Sequence, residues 1–282
     1  DSATARAVPG VKQVLQIPSG VAVVANSFWA ASRGRDALRI DWDESQAEHR
    51  GTPELLAEYR KLAEKPGLPA RHEGDAAAAM ASAAKIITAD FELPYLAHAP
   101  MEPLGCVIKR GESGCELWYG AQFQTFDQIN VARVLGLKPE QVVINTLHAG
   151  GSFGRRASFD GDYVVGAAEI AKAMPPGTPI KVVWTREDEI RGGHYRPMFY
   201  HRLQAGLDAK GQIIAWTHRL VGQSIFEGTP FGAFVKDGID VASVETAFNA
   251  PYKIPNIAVD VPNTKIGVPV LWWRSAGSSH NG

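Results

Sequence analysis

Apolar positions in the first part of the chain come in short runs broken by turn residues. Residues 12–17 and 21–26 are two such runs, and Pro18, Ser19 and Gly20 between them predict a hairpin. Ser27 suits an N-cap, and Phe28, Trp29, Ala31 and Ala37 follow it in a helical stretch. Residues 38–42 alternate apolar and polar side chains, the period of a strand. Thr52, Pro53 and Glu54 make a helix start: a cap, a proline in the first turn and an acid at the positive end of the dipole. Leu55, Leu56, Tyr59, Leu62 and Ala63 give that helix an apolar stripe, and Gly67 stops it. Residues 65–84, rich in Pro, Gly and Ala, read as a connector.

Farther on the strand signals lengthen. Residues 86–92, 105–109 and 116–121 are candidate strands, and residues 125–128 fit a capping box that opens a helix ending at Leu135, before Gly136. The β-branched run at 142–147 predicts a buried strand, and a glycine-rich loop follows it at once. Residues 160–174 return to helical spacing through Tyr163, Val164, Ala167, Ala168, Ile170 and Ala171. Residues 180–184 predict a strand, and 200–207 with 212–221 a second hairpin. This order predicts an α+β fold: a small unit over residues 1–84, connector included, and a mixed-sheet unit over residues 85–282.

At 282 residues and 45% hydrophobic content, the chain has enough apolar material for such a core. A formal net charge of −1 lacks the basic bias of a general nucleic-acid or membrane-surface binder. No apolar run approaches the roughly 20 residues of a bilayer span. The chain starts at Asp1 and ends in a polar string, which suggests a truncated piece; the compartment is left open between bacterial periplasm and cytoplasm. Two cysteines, Cys106 and Cys115, are too few for a Cys-ligated iron–sulfur cluster or a four-Cys zinc site. They flank a predicted turn, so either a cross-strand disulfide or two separate thiols is open, with separate thiols favoured. His98, His148 and His194 lie scattered without metal-ligand spacing, and Glu102, between prolines, reads as a structural carboxylate.

The chemistry concentrates at residues 148–157. A strand, a glycine-rich turn and a helix in succession leave backbone N–H groups unpaired at the helix start, where negative charge is favoured. Gly150, Gly151 and Gly154 let a ligand approach the backbone, and Arg155 and Arg156 add two cations. An anionic ligand is one reading, and a tight turn with two solvated arginines is the other. The loop matches neither G-x-x-x-x-G-K-[ST] nor G-x-G-x-x-G. It does fit G-x-S-x-G, the nucleophile elbow of α/β-hydrolases, with Ser152 as nucleophile. That alternative needs a later acid and histidine; Asp188, Asp208 and Asp240 with His194, His201, His218 or His280 are available, but no pair stands out.

The run His148-Ala149-Gly150-Gly151-Ser152-Phe153-Gly154-Arg155-Arg156 resembles the glycine–phenylalanine loop of the xanthine dehydrogenase/aldehyde oxidase family of molybdenum hydroxylases. It is most similar to the large (beta) subunit of isoquinoline 1-oxidoreductase-like enzymes. Residues 96–103, 120–122, 185–197 and 272–277 resemble further motifs of that family in the same order, and the first unit resembles its small hammerhead domain. The resemblance implies a molybdopterin cofactor, in the cytosine dinucleotide form, and a large-subunit fragment. It implies that Gln122 hydrogen-bonds a ligand of the metal, that Gly150, Gly151, Ser152, Phe153 and Gly154 line the cofactor with Arg155 beside them, and that Arg274 orients the substrate. The implied reaction is hydroxylation of an N-heteroaromatic compound or an aldehyde with oxygen from water. Electrons would pass to a small iron–sulfur partner subunit. The family's base lies in a late Gly-Val-Gly-Glu motif, which this sequence does not contain, so the fragment alone is expected to be inactive. A non-catalytic module that assembles with other segments is the remaining alternative.

Overall fold

A computed structural model describes residues 1–262 and 264–282. Mixed helices and several sheets build an α+β fold, as the sequence predicts. Two compact units each draw on two stretches of chain: residues 1–46 with 99–193, and residues 47–98 with 194–282. The units therefore interleave along the sequence, whereas the sequence division at residues 84 and 85 is linear.

In the first unit Val11–Ile17 and Gly20–Ala25 pair antiparallel as the predicted hairpin. The helix Phe28–Asp36 packs on it, capped by the Ser27 side chain, which accepts from the Ala30 N–H at 3.2 Å. Gly34 is the contact point: a Cβ there would sit 2.8 Å from methyls of both Val11 and Val23. The larger layer is a four-stranded sheet in the order Val142–Thr146, Cys115–Tyr119, Gly105–Arg110, Pro179–Val183. Only its first pair is parallel. The helices Gln124–Leu135 and Asp162–Ala173 close its core, where Leu104, Ile108, Leu117, Val131, Val164, Ala167 and Ala168 are all buried. Complete burial of each large apolar side chain is worth roughly 1.5–3 kcal/mol, so this sheet–helix layer is the anchor for the loops at its rim.

The second unit is built on five strands in the order Leu68–Glu73, Ile257–Val261, Ile213–Gly222, Phe199–Leu207, Lys85–Leu93. Neighbouring strand residues point to opposite faces. Val221 joins Tyr200 and Met198 against Leu55, Tyr59 and Ala63 of the helix Thr52–Leu62. Leu220 joins Ile257 and Val259 against Val244 and Ala247 on the other face.

Several expectations are corrected. Residues 38–42 form no strand, because no ladder partner lies alongside them. The connector at 65–84 contains both the strand Leu68–Glu73 and the helix Ala76–Ala81, which Asp75 caps by accepting from the Ala78 N–H at 2.9 Å. Gly51, not Thr52, is the cap of the helix Thr52–Leu62. No capping box opens the helix Gln124–Leu135, although Gly136 does end it in the left-handed region at φ 71°. Val142–Thr146 is an edge strand with Val143 half exposed, not a central buried one. Cys106 and Cys115 are two separate buried thiols. Among the described residues, no helix is long and apolar enough to cross a membrane.

Candidate functional site

The parallel pair of strands Cys115–Tyr119 and Val142–Thr146 ends together, and the Leu147 N–H donates to the Tyr119 carbonyl at 2.9 Å. Two loops leave that rim side by side. Gly120 is where they touch: a Cβ there would lie 2.6 Å from the Ala149 Cβ, so only glycine permits the approach. This contact lays Gly120-Ala121-Gln122 along the 149–154 segment. The Ser152 hydroxyl then donates to Gln122 Oε1, so the structure brings Gln122 and the glycine loop together.

Glu102 and Arg156 fix the loop from behind. The Gly150 N–H donates to Glu102 Oε2 at 2.8 Å, and the Glu102 N–H donates to the Gly150 carbonyl at 3.0 Å. The Arg156 guanidinium donates at 3.0 Å to each of three acceptors: the Gly151 carbonyl, the Glu102 carbonyl and Glu102 Oε2. Its own N–H donates to the Ser152 oxygen at 3.0 Å. Arg155 faces inward too, pairing through both terminal nitrogens with Asp162 and lying 5.4 Å from the centre of the Trp184 ring. Both arginines are 1% exposed, so neither is the solvated side chain of the tight-turn alternative. Their charge is spent on internal carboxylates and carbonyls. Arg155 as a direct ligand of cofactor phosphate has no free guanidinium edge toward solvent.

The outer face is made of backbone. Gly151, Phe153 and Gly154 have φ of 92°, 55° and 101°, in the left-handed region, and Gly154 is buried while Gly151 and Ser152 are part-exposed. Phe153 occupies this region without being glycine, at a cost of roughly 1–2 kcal/mol. Among the described residues, the N–H groups of Gly151, Ser152 and Gly154 donate to no protein acceptor. Gln122 Nε2 is likewise without a protein acceptor. The loop does not open a long helix, as the sequence suggests; it runs into the short 3-10 turn Arg155–Ala157, and the helix begins later, at Asp162. The N–H groups without a protein acceptor therefore belong to the loop itself and not to a helix end.

Two further groups brace the site. Arg186 donates to the Met101 carbonyl at 3.0 Å, to the Pro100 carbonyl and to Glu189 at 2.8 Å, holding the 100–102 segment against the loop. Burial pushes the Glu189 carboxyl up, and the Arg186 and Arg155 guanidiniums oppose that shift. Beneath the rim, Tyr119 donates to Asp127 at 2.6 Å. Burial pushes the Asp127 carboxyl up to about 7; the Tyr119 hydrogen bond lowers it, and repulsion from Asp162 and Asp160 adds to the rise. The sequence reading missed Asp127 and Asp162 as partners. A carboxylate one or two turns from a predicted arginine is a weak signal without the fold.

Ser152 gives no support to the hydrolase alternative. Its hydroxyl bonds Gln122 and the Arg156 N–H, neither of which removes a proton, and no histidine hydrogen-bonds to it among the described residues. Arg274 belongs to the second unit, where it is exposed and left-handed, with φ 51°.

Residues 61–270 match the family model described as molybdopterin cofactor-binding domain. The chain is 30% identical to the isoquinoline 1-oxidoreductase subunit beta of Brevundimonas diminuta, over 79% of this chain and 30% of that protein. It is 26% identical to the aldehyde oxidoreductase molybdenum-binding subunit of Escherichia coli (strain K12), over 89% of this chain and 36% of that protein. The crystal structure of quinoline 2-oxidoreductase from Pseudomonas putida 86 has the same fold, with a TM-score of 0.74 at 18% identity over 99% of this chain and 40% of that one. The chain thus spans about a third of the length of the curated relatives it matches.

Proposed function

Because this chain belongs to the molybdopterin cofactor-binding domain family, we propose that it forms part of a molybdenum hydroxylase acting on an N-heteroaromatic compound or an aldehyde. The observation that carries the site assignment is the pair of part-exposed residues Gly151 and Ser152, whose N–H groups have no protein acceptor, beside the Gln122 amide. These donors fit an oxygen-rich, anionic group such as a metal–pterin. Gly150 and Gly151 leave the approach open, since neither projects a side chain across it.

Bound there, the molybdenum–pterin group supplies two-electron redox chemistry. The chain's residues do the rest. The loop N–H groups hold the group and Gln122 donates to it through Nε2. Phe153, 41% exposed, covers the wall and excludes water. Glu102 and Arg156 keep the loop in its left-handed form. Arg274 presents a rigid guanidinium that orients substrate and faces the negative charge that develops on it. The cytosine dinucleotide form of the cofactor, oxygen drawn from water, and electron exit through a small iron–sulfur subunit complete the proposal.

Molybdenum by elemental analysis and pterin by fluorescence after oxidation, measured on purified hydroxylating protein, test this. Near-stoichiometric amounts of both are expected, and active material lacking both would refute it.

A further inference from the structure

In the second unit, one buried carboxylate closes a loop rich in aromatic side chains. Asp240, 4% exposed, accepts from the Ser224 hydroxyl at 2.7 Å, the Ile225 N–H at 2.7 Å, the Phe226 N–H at 3.0 Å and the Ala242 N–H at 2.8 Å. Charge-assisted bonds of this kind are about twice as strong as neutral ones, and four of them tie both ends of the loop to one point. The segment between them holds the 3-10 turn Gly232–Phe234 and two short strands, Val235–Lys236 and Ile239–Asp240, that pair with each other.

On this base sits a group of rings. Trp272 stands edge-on to Phe226 and Phe231, with centroids 6.1 and 5.7 Å away. Phe234 lies 6.0 Å from Phe226 and 6.3 Å from Phe231, nearly parallel to the latter. Phe234 is 55% exposed, although its apolar ring gains by leaving water. The same loop has a shallow open depression lined by Glu227, Gly228, Gly232, Val235 and Gly238, to which none of the rings contributes. A base fixed by Asp240 and an exposed ring with aromatic neighbours together make a preorganised surface for a flat molecule. Trp272 is also two residues from Arg274, the residue proposed to orient substrate.

We propose that this loop, through Phe226, Phe231, Phe234 and Trp272, is a recognition surface for planar aromatic heterocycles and sets the substrate class in their favour over aliphatic aldehydes. A heterocycle laid on Phe234 stacks on its exposed ring, an arrangement aromatic pairs prefer. An aliphatic aldehyde does not gain it. The proposal rests on the hydroxylase reading for its biological sense, but its test needs no cofactor.

Isoquinoline and, as a non-aromatic probe of similar bulk, cyclohexanecarbaldehyde are titrated into the 282-residue chain and followed by ligand-observed NMR. Isoquinoline is expected to bind saturably and at least roughly tenfold more tightly than the aldehyde. Phe234→Ala should weaken isoquinoline roughly three- to tenfold, the range of an aromatic contact, and Phe234→Tyr should restore it. Absence of saturable binding, equal affinity for both probes, or unchanged affinity in Phe234→Ala would overturn the proposal. Molybdenum and pterin content separately tests the hydroxylase reading, so the two ideas fail by different measurements.

Discussion

Asp127 allows the buried machinery under the glycine loop to be tested by pH alone. Its carboxyl titrates near 7 in the folded chain, against an ordinary value of 3.8. The folded state therefore holds a proton that the unfolded state has already released through this interval. The contribution to stability is fully present below about pH 4 and is lost as pH rises through about 7. The shift is about three units, and each unit corresponds to 1.36 kcal/mol, so the loss amounts to about 4 kcal/mol across the interval. Asp127→Asn keeps an acceptor for the Tyr119 hydroxyl and removes the titration. Its fixed cost or gain does not vary with pH, so the informative quantity is the difference between variant and parent as pH changes. Urea unfolding at a series of pH values between 4 and 8, with linear extrapolation, measures it. The variant should gain about 4 kcal/mol relative to the parent from the acid to the alkaline end. A difference that stays constant to within about 1 kcal/mol would refute the reasoning, because it would mean that Asp127 titrates alike in both states.

Gly150→Ala should lower the unfolding free energy by about 1–3 kcal/mol, since its Cβ would fall 2.5 Å from the Glu102 Cβ and 3.2 Å from the Glu102 nitrogen. Thermal unfolding of the variant checks this, and an unchanged midpoint would show that the loop yields freely there. Cys106 and Cys115 should resist a thiol reagent at pH 8 in the folded chain and react on unfolding: burial pushes both thiols up, Cys115 to about 11, so little thiolate is present. Prompt labelling of both under native conditions would contradict the buried core around them.

Elements whose signals are local were legible in the sequence. Ser27 caps its helix through its own side chain, and Gly136 ends another in the left-handed conformation. The hairpin at 199–222 pairs residues close in sequence. Elements that owe their form to distant partners were not. Leu68–Glu73 becomes a strand only because Ile257–Val261, far along the chain, lies beside it. Residues 38–42 have the right alternation and no such neighbour. The glycine loop was found from its motif, and Gln122 from its place in the resemblance. The direction of Arg155 and Arg156 was not legible, because a sequence displays a cation without displaying its partner. Asp162 and Glu102 decide that direction, and only folding brings them near. The aromatic loop escaped notice for the same reason: Trp272 stands far from Phe226, Phe231 and Phe234 in the sequence.

The 150–154 loop carries no charged side chain of its own, and the two arginines that follow it are buried, so what it offers a ligand is main chain. A surface of that kind is written in main chain, which every substitution carries over unaltered so long as the left-handed run survives. Exchange of Ser152 or Phe153 for another residue of fitting shape would change what flanks the wall without changing the hydrogen-bonding face itself. Such a wall can be inherited intact through long sequence drift. Diversification of what the protein accepts is then left to loops made of side chains, where a single replacement alters shape and chemistry at once.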